Sequence, residues 1–191
     1  MKKITCSVLL AFLLTFFAAA EEDFFSNTLG LSTGFPLYGS NTLSQDVNEI
    51  PSDKRVIIGA FYNFNINVIK QISFFAGADI LCDFNWNADY YKHFLHTGIP
   101  VGLKIYPGLA GFSLGMAYEF GFRTDFIKYL TGEQKVLPTA WGNGFKFMIE
   151  YNFAHDTKYK HLPTIGCSWN FMPRGNYSFD NILSFYLAGN F

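Results

Sequence analysis

Beyond its first twenty residues, the sequence lacks an apolar run long enough to form a transmembrane helix. A helical span needs about 20 consecutive, mostly apolar residues. The apolar stretches of this chain, such as 56–69 and 105–118, are shorter and contain Gly, Asn or Pro. This lack excludes a protein that crosses a membrane with several helices.

Charge is also scarce, because Asp, Glu, Lys and Arg make up only 15% of the chain. Without Lys2 and Lys3, 12 basic residues stand against 15 acidic ones, which gives a formal charge of −3. A nucleic-acid-binding surface needs an excess of positive charge. We therefore expect no nucleic-acid partner.

The beginning of the chain is typical of an export signal. Two lysines precede an apolar run over 4–17, and three alanines at 18–20 follow it. We expect cleavage after Ala20, with 1–20 as the signal peptide and 21–191 as one mature domain. Cysteine is rare, and Cys6 lies near the start of the apolar run rather than at its end. We therefore expect no lipid anchor.

Aromatic residues, in contrast, are abundant, with 23 phenylalanines and an aromatic fraction of 19%. So many large rings are hard to bury in a soluble domain of this size. In a bilayer, only helices and closed barrels satisfy all of their backbone groups internally. Without helical spans, this apolar content indicates a membrane β-barrel.

Eight segments show the period-two alternation of a membrane barrel, in which side chains point in turn to lipid and to lumen. In one of them, Ile72 and Phe74 alternate with Gln71 and Ser73. No charged residue falls on the apolar face of any segment, where a Lys or Arg near the midplane costs about 2 to 4 kcal/mol. We therefore predict an all-β, eight-stranded antiparallel up-and-down transmembrane barrel. Its predicted strands are 25–35, 55–66, 71–84, 95–105, 109–123, 144–153, 163–171 and 180–191.

The connections between these segments alternate between long and short, as an outer-membrane barrel requires. The predicted extracellular loops are 36–54, 85–94, 124–143 and 172–179, and the predicted periplasmic turns are 67–70, 106–108 and 154–162. A soluble lipocalin-like ligand carrier would show similar alternation with the apolar face inward. Its polar face would meet water, whereas the polar face here is rich in Gly, Ser, Thr and Asn and poor in charge. The soluble carrier stays as a remote alternative.

The last predicted strand carries Leu183, Phe185, Leu187 and the terminal Phe191 on its apolar face. This pattern resembles the signal that the barrel-assembly machinery reads, although Gly189 stands where a larger apolar residue is usual. The chain as a whole resembles the small eight-stranded outer-membrane proteins of the OmpW, OmpX and OmpA-barrel families, and also a spirochaete outer-membrane barrel family. The resemblance implies a place in the bacterial outer membrane, with membrane lipid and the assembly machinery as partners.

Charged side chains on the polar face are the candidate functional residues. In the predicted strands they are Arg55, Asp79, Asp83, Lys104, Glu119, Arg123, Lys146, Glu150 and Asp180. We expect a lumen charge network formed by Asp79, Lys104, Glu119, Arg123, Lys146 and Glu150. An eight-stranded barrel is just wide enough for its own side chains to fill, and buried charges are normally paired. One interpretation is therefore a salt-bridge plug.

The other interpretation is a gate, in which inward glycines leave space that charged side chains close and open. Resemblance to the OmpW-like barrels implies passage of small hydrophobic molecules. We therefore predict a narrow conduit, with a non-conducting structural or adhesive surface protein as the alternative. A host surface ligand would then meet the long loops, where Leu43, Val47, Phe126 and Leu137 are more apolar than loop residues usually are.

The histidines do not predict an enzyme. His96 is expected to face inward, whereas His93, His155 and His161 are expected in loops or turns. His93 and His96 are three residues apart, which places them on opposite faces of a strand and does not suit a metal pair. We expect no cofactor and no metal.

Overall fold

The computed structural model describes residues 24–38, 54–88, 90–109, 111–129, 131–138, 141–154, 162–173 and 179–191. The predicted signal peptide at 1–20 and its cleavage site lie outside these residues, as does most of the predicted loop at 36–54. None of the described residues belongs to a helix that is long and apolar enough to cross a membrane.

The described residues form nine β-strands. They are β1 (Phe25–Tyr38), β2 (Lys54–Ile69), β3 (Ile72–Trp86), β4 (Tyr90–Ile105), β5 (Phe112–Tyr129), β6 (Gln134–Pro138), β7 (Gly142–Asn152), β8 (Thr164–Pro173) and β9 (Phe179–Asn190). Antiparallel pairing runs around the barrel in the order β1, β2, β3, β4, β5, β7, β8 and β9 and returns to β1, and β6 pairs with the outer part of β5. The eight strands β1–β5 and β7–β9 therefore close into a barrel, which confirms the predicted fold.

Side chains alternate between the two faces in the predicted phase. Along β7, Phe145 and Phe147 are about half exposed on the outside, whereas Lys146 and Met148, which alternate with them, are buried. All eight barrel strands follow the same rule, so the apolar face points outward and the polar face points into the barrel. The predicted assignment of each strand face to the inside or the outside of the barrel is confirmed.

Several predicted strand ends are wrong, because the strands continue beyond their apolar alternation. β4 begins at Tyr90 rather than at 95, β5 continues to Tyr129 rather than ending at 123, and β1 continues through Tyr38. Much of the predicted loop at 124–143 is a hairpin, in which the outer part of β5 pairs with β6 from Thr124 opposite Pro138. Outward positions past the apolar band can be polar while the backbone ladder continues, so hydrophobicity does not mark these ends.

Two ends of the barrel can now be distinguished. The β5–β6 hairpin defines the hairpin end, where β1, β3 and β8 also finish. The short β2–β3 and β4–β5 connections define the turn end, where the terminal Phe191 exchanges two backbone hydrogen bonds with Asn27.

Bulky side chains fill the space beside the inward glycines. Phe61 and Tyr186 pack edge to face inside the barrel, with ring centroids 5.0 Å apart. A Cβ atom added at Gly30 would lie 2.3 Å from the Phe61 ring, and one added at Gly166 would lie 2.4 Å from the Tyr186 ring. These two glycines therefore act as sockets for the rings.

Candidate functional site

The hairpin end is crossed by a group of polar side chains that we call the hairpin-end cluster. It consists of Tyr38, Arg55, Asp83, His96, Arg123, Asp125 and Asp180. Strands β1, β2, β3, β4, β5 and β9 each contribute to it. Because these strands surround the lumen, the cluster spans the barrel from wall to wall.

Arg123 is the centre of the cluster on the β5 side. Its Nε and Nη2 donate to the two carboxylate oxygens of Asp125 at 2.7 and 3.0 Å, and its Nη1 donates to Asp180 at 2.6 Å. The guanidinium also lies over the rings of Tyr38 and Phe94, 4.8 and 5.7 Å from their centroids. Such paired, charge-assisted hydrogen bonds offset part of the cost of burying the charges.

Asp83 is the centre on the opposite side. Arg55 donates to both of its carboxylate oxygens, at 2.9 and 2.7 Å, and the hydroxyl of Tyr38 donates to it at 2.5 Å. The ring of His96 stacks on Tyr38 with centroids 5.5 Å apart, and its Nδ1 lies 4.0 Å from an oxygen of Asp180. Tyr38 and His96 thus connect the two halves of the cluster into one contact network.

The sequence predicts Arg123 in one network with five other charges, but in the structure Arg123 contacts Asp125, Asp180 and Tyr38 instead. Asp125 and Tyr38 were missed because they fell in predicted loops. The signal was present in the period-two phase, since Asp125 follows Arg123 by two residues and Tyr38 follows Gly34 by four. Extending each strand until the alternation failed, rather than until the apolar residues ended, would have found both.

A small cavity lies in the middle of the barrel. Its volume is about 50 Å³, which is room for roughly three to five water molecules. Lys146 forms an ion pair with Asp79 at its wall, and Asn170 donates to Glu119 at 2.5 Å. Among the polar atoms at its wall, Asn63 Oδ1 and Asp79 Oδ1 have no hydrogen-bond partner among the described residues.

The remaining predicted pair lies nearer the turn end. Lys104 Nζ lies 2.9 Å from a carboxylate oxygen of Glu150, and both side chains are buried. Ser113 and Tyr186 donate to the same carboxylate at 3.0 and 2.9 Å. Lys146 also interacts electrostatically with Glu119 and Glu150, so five of the six predicted residues are connected, whereas Arg123 belongs to the hairpin-end cluster. Their role as a gate stays a prediction.

His93, Cys82 and Cys167 lie on the outward-facing sides of their strands, away from the clusters inside the barrel. His93 lies in β4, not in a loop as expected, and its ring stacks on Phe126 on the outside with centroids 4.3 Å apart. Cys82 and Cys167 are free thiols on β3 and β8. Within the described ranges, no group of three or more His, Cys, Asp and Glu side chains could hold a metal ion.

The closed barrel with this inside-out arrangement is similar to solved structures. The crystal structure of Ail, the attachment invasion locus protein of Yersinia pestis, matches with a TM-score of 0.59 at 9% identity. A second Ail structure, in complex with the heparin analogue sucrose octasulfate, matches with a TM-score of 0.58 at 8% identity. Both matches cover 87% of this chain and 97% of Ail. The fold is that of a small eight-stranded outer-membrane barrel.

A third structure, the crystal structure of Neisserial surface protein A, matches with a TM-score of 0.49 and 9% identity over 87% of this chain and 97% of that protein. No family model and no curated protein matches the sequence. At such low identity the comparison concerns the outer-membrane barrel fold alone.

Proposed function

We propose that this chain is an integral outer-membrane protein whose barrel is closed to solutes and whose hairpin end binds ligands at the cell surface. The observation that carries the proposal is the filled lumen. A wall-to-wall ionic cluster closes the hairpin end, and Phe61 and Tyr186 fill the section below it. An interior packed in this way supports a rigid platform more readily than a conduit.

The outer surface supports the membrane location. Leu31, Phe35 and Ile58 are 52 to 65% exposed, and every barrel strand presents large apolar side chains in the same way. Water-soluble proteins rarely expose apolar patches of this extent, whereas lipid tails cover them without cost. The signal peptide at 1–20 would direct export, and the mature chain would begin at Glu21. The hairpin end would face the outside of the cell.

The hairpin is the element that we assign to ligand binding. β5 has 18 residues, whereas about 9 to 11 suffice to cross a bilayer, so its outer part projects beyond the membrane. The hairpin exposes Lys128 and Val136, and Lys54 is exposed at the same end. Lys135 is exposed too, and its ammonium lies 3.8 Å from a carboxylate oxygen of Glu133 in the same hairpin. Cations beside apolar surface suit an anionic glycan or a similar acidic ligand. The sulfated sugar bound to Ail motivates the same choice of ligand.

Planar-bilayer conductance tests the closed barrel directly. We expect the refolded mature protein to insert and give no reproducible unitary current steps, because the hairpin-end cluster and the packed rings of Phe61 and Tyr186 narrow the lumen. Retention on immobilised heparin at low salt tests the ligand-binding part. We expect the Lys128→Ala/Lys135→Ala double variant to be retained less than the wild type. Regular current steps in the wild type would contradict the closure, and equal retention of the double variant would contradict the assigned ligand surface.

The narrow conduit for small hydrophobic molecules is the second candidate. It draws support from the central cavity and from a second cavity at the turn end, because closure between them depends on a few side chains. If Lys104 and Glu119 form part of a gate, the Lys104→Ala/Glu119→Ala variant should change conductance or dye uptake relative to the wild type. Identical traces for the two proteins would remove the gate.

A further inference from the structure

The turn end of the barrel contains a polar cavity that we call the turn-end cup. Its volume is about 200 Å³. Side chains from strands all around the barrel line it, among them Thr28, Asn65, Lys104, Glu150, Thr164 and Asn190. The cup belongs neither to the hairpin-end cluster nor to the proposed ligand surface at the opposite end.

Hydrogen bonds inside the cup run in one direction around its wall. The amide of Asn65 donates to the hydroxyl of Thr28 at 3.0 Å, and that hydroxyl donates to Asn190 Oδ1 at 2.8 Å. The amide of Asn190 in turn donates to the hydroxyl of Thr164 at 2.9 Å. This series of hydrogen bonds crosses β2, β1, β9 and β8 and holds the amide planes of Asn65 and Asn190 in place.

The residue at the start of this series of hydrogen bonds, Asn65, has an acceptor without a partner among the described residues. Asn65 is 4% exposed, and its Oδ1 accepts no hydrogen bond from any described residue. At the other end, the hydroxyl of Thr164 accepts from Asn190 and keeps its own proton for donation. A buried acceptor without a donor is costly, so the cup is built for a ligand that supplies hydroxyl or amide protons.

The charges of the cup point to a neutral ligand. Lys104 and Glu150 neutralise each other at 2.9 Å. Tyr106 follows the end of β4, and burial, together with the nearby Glu150 carboxylate, raises the pKa of Tyr106 to about 12. Its hydroxyl is therefore protonated at neutral pH. Neither an anion nor a cation gains a net electrostatic advantage in this cavity.

We propose that the turn-end cup binds one unit of a neutral, hydroxyl-rich sugar. Each sugar hydroxyl is both a donor and an acceptor, which matches a wall of amides and hydroxyls that needs both. An apolar solute would leave these groups desolvated and unpaired, and a site of this kind rejects such ligands. The sugar would come either as a free monosaccharide or as the end of a glycan strand. Binding itself does not depend on the proposed closure or on the hairpin ligand.

Nuclear magnetic resonance of the refolded mature protein in micelles tests this site. The side-chain amide signals of Asn65 and Asn190 are followed during titration with N-acetylglucosamine, a short chito-oligosaccharide or hexanol. We expect saturable shifts of both signals with millimolar dissociation constants for the sugars, and none for hexanol. Equal affinity for both sugars indicates a single-unit site, and at least tenfold tighter binding of the oligomer, about 1.4 kcal/mol, indicates a glycan end.

The Asn65→Ala variant should weaken sugar binding by about tenfold, the usual order for one buried hydrogen-bonding partner. Ser32→Ala, which alters the central cavity instead, is the matched control and should bind as the wild type does. If Asn65→Ala fails to refold, the Asn190 signal of the wild type still decides. Shifts that never saturate, or that hexanol produces equally well, would overturn the proposal.

Discussion

Arg123 is the largest side chain that the barrel buries almost completely, at 1% exposure. A guanidinium in that position is tolerable only because carboxylates of Asp125 and Asp180 surround it. Breaking a buried ion pair by removing one partner leaves the other charge without compensation, whereas removing the whole group is often neutral. Single residues of the cluster are therefore coupled, and their effects on stability are not additive.

The Arg123→Ala variant should lower the free energy of unfolding by about 3 to 5 kcal/mol, because two buried carboxylates lose their cation. Urea unfolding in detergent micelles measures the change. The triple variant Arg123→Met/Asp125→Asn/Asp180→Asn should recover most of the loss, and Lys128→Ala, which changes an exposed side chain, should have little effect. A triple variant less stable than Arg123→Ala would disprove this account of the cluster.

The close contact between Gly30 and the Phe61 ring predicts that a larger residue at position 30 destabilises the barrel. Gly30→Ala would press a methyl group against the Phe61 ring, and we expect a loss of about 1 to 3 kcal/mol from overpacking. Gly189→Ala is the matched control, because a Cβ there meets no described heavy atom within 4 Å. Urea unfolding of both variants compares the two sites. Equal stability of Gly30→Ala and the wild type would mean that the ring moves away at no cost.

At the scale of the element, the β5–β6 hairpin is an addition to the barrel rather than part of its closure. β6 pairs only with the outer residues of β5, whereas β7 pairs with the inner part of β5 and with β8. Barrel closure thus depends on β7, and the outer part of β5 is held by β6 on one side and by β4 on the other, as far as Tyr129 opposite Tyr90. Its position past the end of the apolar band gives it contact with water on its outer face.

Replacing residues 127–135 by an Asn-Gly turn should therefore shorten the hairpin without opening the barrel. Phe126 and Val136 are cross-strand partners, so a two-residue turn can connect them. We expect the heat-modifiable mobility of the folded protein on gels to be unchanged and retention on heparin to be lost. A shortened protein that no longer refolds would show that the hairpin is needed for closure.

For the whole molecule, closure of the barrel determines how the protein should behave. An eight-stranded barrel has no free strand edge, and its interior is just wide enough for side chains. Here those side chains form an ionic cluster, a ring-filled section and two small cavities. The barrel should be rigid in detergent and insoluble without it.

The refolded protein should migrate differently on gels before and after boiling and should show a strand-rich circular dichroism spectrum. Closed backbone hydrogen bonding resists detergent denaturation until heating, which explains the shift. The unboiled sample is compared with the boiled one in the same detergent. A monomer that stays soluble without detergent would contradict the outward orientation of the apolar face.

The sequence by itself determined the number of barrel strands and which face of each points to lipid. Period-two alternation is a local property, so reading Ile72, Phe74 and Ile80 along one strand was enough to orient it. It did not determine strand ends such as Tyr129, because outward positions beyond the bilayer are under no pressure to be apolar.

Only the tertiary structure decided which charges meet. Lys146 pairs with Asp79 and Lys104 pairs with Glu150, whereas Glu119 is bound by Asn170. These partners lie on strands that are not adjacent in the barrel, and they meet across the lumen. Which charged side chains come into contact depends on the register of every strand between them and on the tilt that closes the barrel. No local pattern in the sequence encodes that sum of registers, which is why the sequence predicts which charges face inward but not which of them pair.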